Sequence, residues 1–186
     1  MQLKAEDPDW ELIRAIAQGD ARALERLYAS YGPGLLVYLS GRLDDPHLAE
    51  EVLQDVMLAV WRAAPRFRYQ SKLRTWLFAI ARNRAINAYQ RKRAPDHLPI
   101  ERANRLSDSE MRPLDARQEK RSTLLEALQN LPRQQRETLE LVFMHNFSIQ
   151  ETAMILDVAP GTVKSRLHRA KTALRQNLSD QEKADE

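Results

Sequence analysis

Apolar residues recur at helical spacing along most of this chain, which predicts an all-α protein. Trp10, Ile13, Ile16 and Ala17 form a first stripe. Leu24, Leu27, Tyr28 and Tyr31 form a second after Asp20, and Gly32-Pro33-Gly34 is expected to break that helix or turn it sharply. A third helix is expected after Asp44-Asp45-Pro46, running to Pro65 with Val52, Val56, Ala59 and Val60 on its apolar face and Glu50, Gln54, Asp55 and Leu58 on the other. A short loop, RFRYQSK, then leads into LRTWLFAIARNRAINAYQRKR, where Leu73, Trp76, Leu77, Ile80 and Ala81 supply the expected buried stripe.

From Ala94 to about Gln118 the periodicity dissolves among Pro95, Pro99, Pro113 and charges of both signs, so this stretch reads as a flexible linker. Helical order resumes at Arg121 with Leu124, Leu125 and Leu128. It pauses at Leu131-Pro132, resumes with Leu139, Leu141, Val142 and Phe143, and pauses again at His145-Asn146. Ser148 and Glu151 fit a capping box, in which serine and glutamate each satisfy a backbone N–H at the start of a helix. That helix, with Ile149, Ala153 and Leu156 inward, should end near Asp157. Only Val158 and Ala159 then precede Pro160, which suits the first position of another helix because its missing N–H costs nothing there. Two helices with so short a turn form a helix-turn-helix. The second puts Val163, Leu167, Ala170 and Leu174 on one stripe, with Ser165, His168, Arg169 and Thr172 opposite and Lys164, Arg166, Lys171 and Arg175 along the flanks. The whole reads as two small helical domains joined by a linker, with boundaries 1–93, 94–120 and 121–178 and an acidic tail at 179–186.

Charge sharpens this picture. The net charge of +3 conceals strong segregation: residues 1–61 are net −6, residues 62–93 hold ten bases and no acid, residues 94–157 are net −3, residues 158–177 hold five bases and no acid, and the tail from 178 is net −3. A charge run is usually a solvated face, yet two acid-free basic blocks in a chain with 26 acids point to nucleic acid. A helix in the major groove needs hydrogen-bonding side chains toward the base edges and cations at its margins for phosphates, which is the distribution on the last helix. Gly161, in its first turn, would let backbone N–H groups approach a phosphate closely. The first basic block adds Phe67, Tyr69, Trp76, Phe78 and Tyr89, and aromatic faces suit unstacked bases of opened DNA. Trp76 lies on the apolar stripe and is expected in the core, Phe78 fits either role, and Tyr69 in its polar loop is the better candidate for gripping a base. Asn83, Asn87 and Arg91 recur every four residues on one exposed face suited to base edges or phosphates. The acidic first block suits protein contact better than DNA contact, so a protein partner and DNA are expected at opposite ends of the first domain.

Composition narrows the function classes further. There are no cysteines, and the four histidines are too far apart for a helical ligand pair, so disulfides and thiolate metal sites are excluded and a structural metal is not expected. No apolar run reaches the ~18 residues a spanning helix needs, and MQLKAEDPDWE lacks the features of a signal peptide, so a cytoplasmic protein is expected.

EVLQDVMLAVWRAAPRFRYQSKLRTWLFAIARNRAINAYQRKR and LPRQQRETLELVFMHNFSIQETAMILDVAPGTVKSRLHRAKTALR resemble, in that order, the sigma-2 and sigma-4 domains of the extracytoplasmic-function (group IV) sigma factors of the sigma-70 family, over roughly residues 10 to 178. The resemblance implies an alternative sigma factor that binds core RNA polymerase and directs promoter recognition, DNA melting and transcription initiation, with no enzymatic activity, cofactor or metal. It implies that Glu51, Gln54, Asp55 and Leu58 face the clamp of the β′ subunit and that the second domain meets the β flap. It further implies that Arg68, Tyr69, Gln70, Ser71, Lys72 and Arg74, with Asn83, Asn87 and Arg91, engage the melted −10 element. Gly161, Thr162, Lys164, Ser165, Arg166, His168, Arg169, Lys171 and Arg175 would engage the duplex −35 element. An anti-sigma factor is expected as regulator, in some cases holding the protein at the inner membrane. Three positions depart from the family pattern: Asn87 where aspartate is frequent, Ala159 where a capping serine is common, and Thr152 where a branched apolar residue is usual.

Two other classes are compatible with a helix-turn-helix. An ordinary regulator would need a ligand pocket or dimer seam within residues 1–93 and leaves the basic aromatic block unexplained. A recombinase-like enzyme would need a nucleophile with acid-base partners, and Ser165 and His168, three apart on a helix surface, suit groove contact better.

Overall fold

The computed structural model describes residues 9–43, 45–93, 127, 128 and 130–184. The predicted linker at 94–120, the helical start at Arg121 with Leu124 and Leu125, and residues 1–8, 185 and 186 lie outside the described residues. Among those described, all regular structure is helical. The chain divides into two units, residues 1–96 with 150–157 and residues 97–149 with 158–186.

The first unit begins with α1 (Trp10–Ala17), α2 (Ala21–Ser40), α3 (Pro46–Ala63) and α4 (Leu73–Arg93). Between α1 and α2 the chain turns through Gly19, whose φ of +88° is costly for any residue with a Cβ. Asp20 then caps α2, its carboxylate accepting from the backbone N–H groups of Arg22 at 2.9 Å and Ala23 at 3.3 Å. Contrary to the expected break, α2 runs without interruption through Gly32-Pro33-Gly34. Leu27 before the proline, and Leu35, Tyr38 and Leu39 after it, are buried, so core packing holds both halves in one helix.

α3 and α4 pack together and both pack on α2. Val52, Val56 and Val60 of α3 are buried as expected, joined by Ala49, Leu53 and Met57. On α4 the buried face is rotated relative to the expected stripe. Leu73, Leu77 and Ala81 are inside, but Thr75 and Phe78 take the places foreseen for Trp76 and Ile80, which are only half-buried. The Phe78 ring meets Tyr38 of α2 at 5.1 Å between centroids, tilted by 59°, and this partner fixes the rotation. Each large apolar side chain so buried contributes about 1.5–3 kcal/mol.

In the second unit α5 (Arg133–Leu139) opens into one wide turn at Glu140–Met144, where the His145 N–H donates to the Glu140 carbonyl at 3.0 Å. Asn146, at φ +51°, then reverses the chain. The extra residue in the wide turn keeps Leu141 inside while Phe143, expected among the apolar stripe, is 55% exposed. The helix α6 (Ile149–Leu156), whose residues from 150 onward group with the first unit, starts immediately after Ser148, and α7 (Pro160–Ala184), in the second unit, starts at the proline. α7 continues past residue 178 into the acidic tail, whose composition lacks the Gly or Pro that would stop it. α5 packs along α7.

Asp45 ties two of these helices together. Its carboxylate caps α3 through the His47 and Leu48 N–H groups and pairs with Lys92, near the end of α4, at 3.2 Å. The Lys92 hydrogen bond, then the Leu48 N–H, holds its carboxyl below the ordinary value of 3.8. A depressed folded-state value means stabilisation present above the unfolded value and lost as pH falls through the folded one. Asp45→Asn, which retains a capping oxygen but no charge, should therefore melt below wild type at neutral pH and converge with it in acid below 3.8; thermal melts across a pH series check this.

Candidate nucleic-acid interface

α7 is built as a helix with two chemically distinct faces. Val163, Leu167 and Ala170 are buried and Leu174 is half-buried, so the stripe at spacings of four, three and four is the one facing the protein. Lys164, His168, Arg169, Lys171, Thr172 and Arg175 are exposed, and Ser165 and Arg166 are half-exposed between the faces. The arginine of this face is not splayed at random. Arg169 Nη2 donates to Ser165 Oγ at 3.2 Å and its Nε to the Ser165 carbonyl at 3.3 Å, while Ser165 Oγ donates to the Thr162 carbonyl at 2.9 Å. This short chain lays the guanidinium toward the helix N-terminus and holds Ser165 as its support. Lys171 instead lies 5.2 Å over the exposed Phe143 ring.

The turn before α7 depends on Asp157, which adopts φ +53° and so ends α6 in the left-handed conformation that glycine more often supplies. The first turn of α7 contains Gly161, where an added methyl would meet nothing within 4 Å. Internal packing does not require the glycine.

In the first unit the residues from 66 to 93 expose a long basic surface. Arg66, Arg68, Gln70, Lys72, Asn83, Asn87 and Arg91 are exposed, and Tyr69, Ser71 and Arg74 are half-exposed. The spacing of Asn83, Asn87 and Arg91 does place them on one solvent face of α4. Arg74 lies 5.7 Å over the Phe78 ring, so its stem also covers the core. Trp76, expected in the core, is half-buried and packs on Phe67 with ring centroids 4.6 Å apart and planes tilted by 37°. Phe67 in turn meets Tyr69 at 4.7 Å, and Tyr69 meets Trp10 at 4.6 Å. The sequence carried part of this signal, since Phe67, Tyr69 and Trp76 fall close together in one basic stretch. The participation of Trp10, nearly sixty positions earlier, carried none.

On α3 the residues Glu51, Gln54 and Leu58 are exposed, Leu58 to 51%, and Asp55 is half-exposed. Asp55 Oδ2 lies 3.7 Å from Arg91 Nη2. The acidic candidate surface on α3 and the basic one on α4 therefore adjoin, and the expectation that they occupy opposite ends of the first unit is corrected. Helices α3 and α4 pack side by side, which brings their polar flanks together. Both side chains are well exposed, so the pair contributes little to stability.

Residues 27–94 match the family model for Sigma-70 region 2, and residues 121–174 match that for Sigma-70, region 4. The ECF RNA polymerase sigma factor SigM of Mycobacterium tuberculosis is 34% identical over 171 residues, an overlap covering 91% of this chain and 84% of that protein. The chain belongs to the ECF sigma factors of RNA polymerase. A second sigma factor of this group, RpoE of Cereibacter sphaeroides, is 33% identical over 181 residues, with 95% of this chain and 98% of the relative covered. The solved structure of the sigma factor RpoE in complex with the anti-sigma factor NepR from Bartonella quintana superposes on this sigma factor with a TM-score of 0.63 at 29% identity, covering 83% of this chain and 96% of that one. Membership makes the protein an alternative sigma factor, a transcription initiation factor that works with RNA polymerase. No helix among the described residues is long and apolar enough to cross a membrane.

One departure from the family pattern has a structural cost. Thr152 of the sigma factor is fully buried, and its hydroxyl has no hydrogen-bond partner among the described residues. An unsatisfied buried hydroxyl costs about 1–3 kcal/mol. Thr152→Val should accordingly raise unfolding stability by about 1 kcal/mol or more, measured by urea denaturation.

Proposed function

We propose that this sigma factor binds core RNA polymerase through the exposed face of α3, engages the melted −10 element with the 66–72 loop and α4, and reads the −35 duplex with α7. The observation that carries the −35 assignment is the division of α7: an apolar stripe buried against the protein, and opposite it a run of exposed cations and hydrogen-bonding side chains without an acid from Val158 to Asn177. Such a face meets base edges along its centre and phosphates at its margins. Arg169, supported by Ser165, is the residue suited to bidentate pairing with guanine. Lys164, Arg166, Lys171 and Arg175 are suited to phosphates, His168 and Thr162 to the groove wall.

Domain roles follow the same division: residues 1–93 for clamp binding and melting, 94–120 as linker, 121–178 for −35 recognition and contact with the β flap, and 179–186 as an acidic extension. The −10 assignment is supported by ten bases without an acid over 62–93, interleaved with half-exposed aromatic rings. Glu51, Gln54, Asp55 and Leu58 supply an acidic, partly apolar face suited to protein contact. The protein catalyses nothing itself and needs no cofactor; polymerase does the chemistry in the cytoplasm. Complexes between related sigma factors and anti-sigma factors support control by a cognate anti-sigma factor.

These roles separate experimentally. Arg169→Ala should cost about 1–3 kcal/mol in discrimination at one base pair of the −35 duplex while leaving co-purification with core polymerase unchanged. Asp55→Lys should weaken core binding first; if the two variants share one defect, the division is wrong. Gly161→Ala should stabilise the free protein by about 0.5–1 kcal/mol, because helical glycine is entropically costly, yet weaken duplex binding by holding a phosphate off the backbone. Gel-shift titrations beside thermal melts read both effects.

A further inference from the structure

α1 belongs to the acidic first block, whose charge suits protein partners, yet its first residue is turned to a different use. The Trp10 ring lies 4.6 Å from the Tyr69 ring, tilted by 55°. Tyr69 meets Phe67 edge-on at 4.7 Å, and Phe67 lies 4.6 Å from Trp76 on α4. Four half-buried rings thus run in a row from the start of α1, across the loop, onto α4. Exposed Arg66 and Arg68 flank the row with positive charge.

Tyr69 stands at φ +55°, a left-handed conformation that a bulky side chain keeps only when its surroundings hold it there. Trp10 can hold it because α1 is itself anchored. Ile13 and Ile16 are buried in the core, and Asp9, immediately before Trp10, accepts a hydrogen bond from the Tyr31 hydroxyl of α2.

We propose that Trp10 is a positioning residue for the binding of single-stranded DNA: it fixes Tyr69 and the loop around it so that a ring surface stands ready for an unpaired base. The proposal rests on the role in −10 capture assigned above to the 66–72 loop. A loop free to rotate loses conformational freedom at the moment it binds a base, and that loss weakens binding. Contact with Trp10 orders the loop beforehand. Because Trp10 acts through Tyr69, losing it should add nothing once Tyr69 is gone.

The test uses the full-length protein assembled with core RNA polymerase and a pool of short single-stranded DNA oligonucleotides of random sequence, with captured species sequenced to give the base preference at each position of the enriched motif. Tyr69→Ala should abolish the preference at one position. Trp10→Ala should reduce the preference at that same position by about three- to tenfold, the range expected from losing one aromatic pair. Trp10→Phe should restore most of it, and the double variant should match Tyr69→Ala. Thermal melts of each variant run beside the selection. A Trp10→Ala protein that melts earlier but keeps wild-type base preference overturns the proposal, as does a double variant whose losses add. If Tyr69→Ala itself keeps the preference, the −10 reading of the loop fails and the role of Trp10 fails with it, a result distinct from a loss confined to Tyr69.

Discussion

Burial of the seam between α3 and α4, with α2 laid across it, orients the charged faces of the first unit. Val52, Val56 and Val60 on α3 and Leu77, Ala81, Ala85 and Ala88 on α4 leave water together. Once they do, the polar remainder of each helix has a fixed direction: Glu51, Gln54 and Leu58 look out from α3, and Asn83, Asn87 and Arg91 from α4. The electrostatics follow from this packing and do not drive it. The ion pairs that span the seam, Asp55 with Arg91 and Asp45 with Lys92, are exposed and secondary in energy to the apolar contact beneath them.

The same seam explains the continuity of α2. A proline inside a helix removes one hydrogen bond and crowds the preceding turn, at a cost of about 3 kcal/mol. Burying Leu27, Leu35, Tyr38 and Leu39 on both sides of Pro33 outweighs that cost, since each contributes an amount of similar size. Local propensity argued for a break; the shared core kept the helix continuous.

The helix α7 follows simpler rules. Its faces are set by a spacing of three and four within one helix, so the positions of Val163, Leu167 and Ala170 fix those of Arg169 and His168 on the far side. The Thr162–Ser165–Arg169 hydrogen-bond chain is likewise local, spanning two helical turns. Such short-range arrangements leave a readable trace in the order of residues. The basic, hydrogen-bonding face of α7 was therefore within reach of periodicity and charge, including Pro160 at the helix start and Gly161 beside it.

The sequence by itself determined the all-helical class, the bounds of α3, the start of α7, the two acid-free basic blocks and the stripe buried on α7, because each depends on contacts within a few turns of one helix. Only the tertiary structure decided that Phe78 and not Trp76 enters the core, since the choice rests on Tyr38 forty positions earlier. It alone brought Trp10 to Tyr69 and Asp55 to Arg91. Residues on different helices meet through the rotation and crossing of those helices, and a helical period fixes which residues share a face without fixing which other face they will meet.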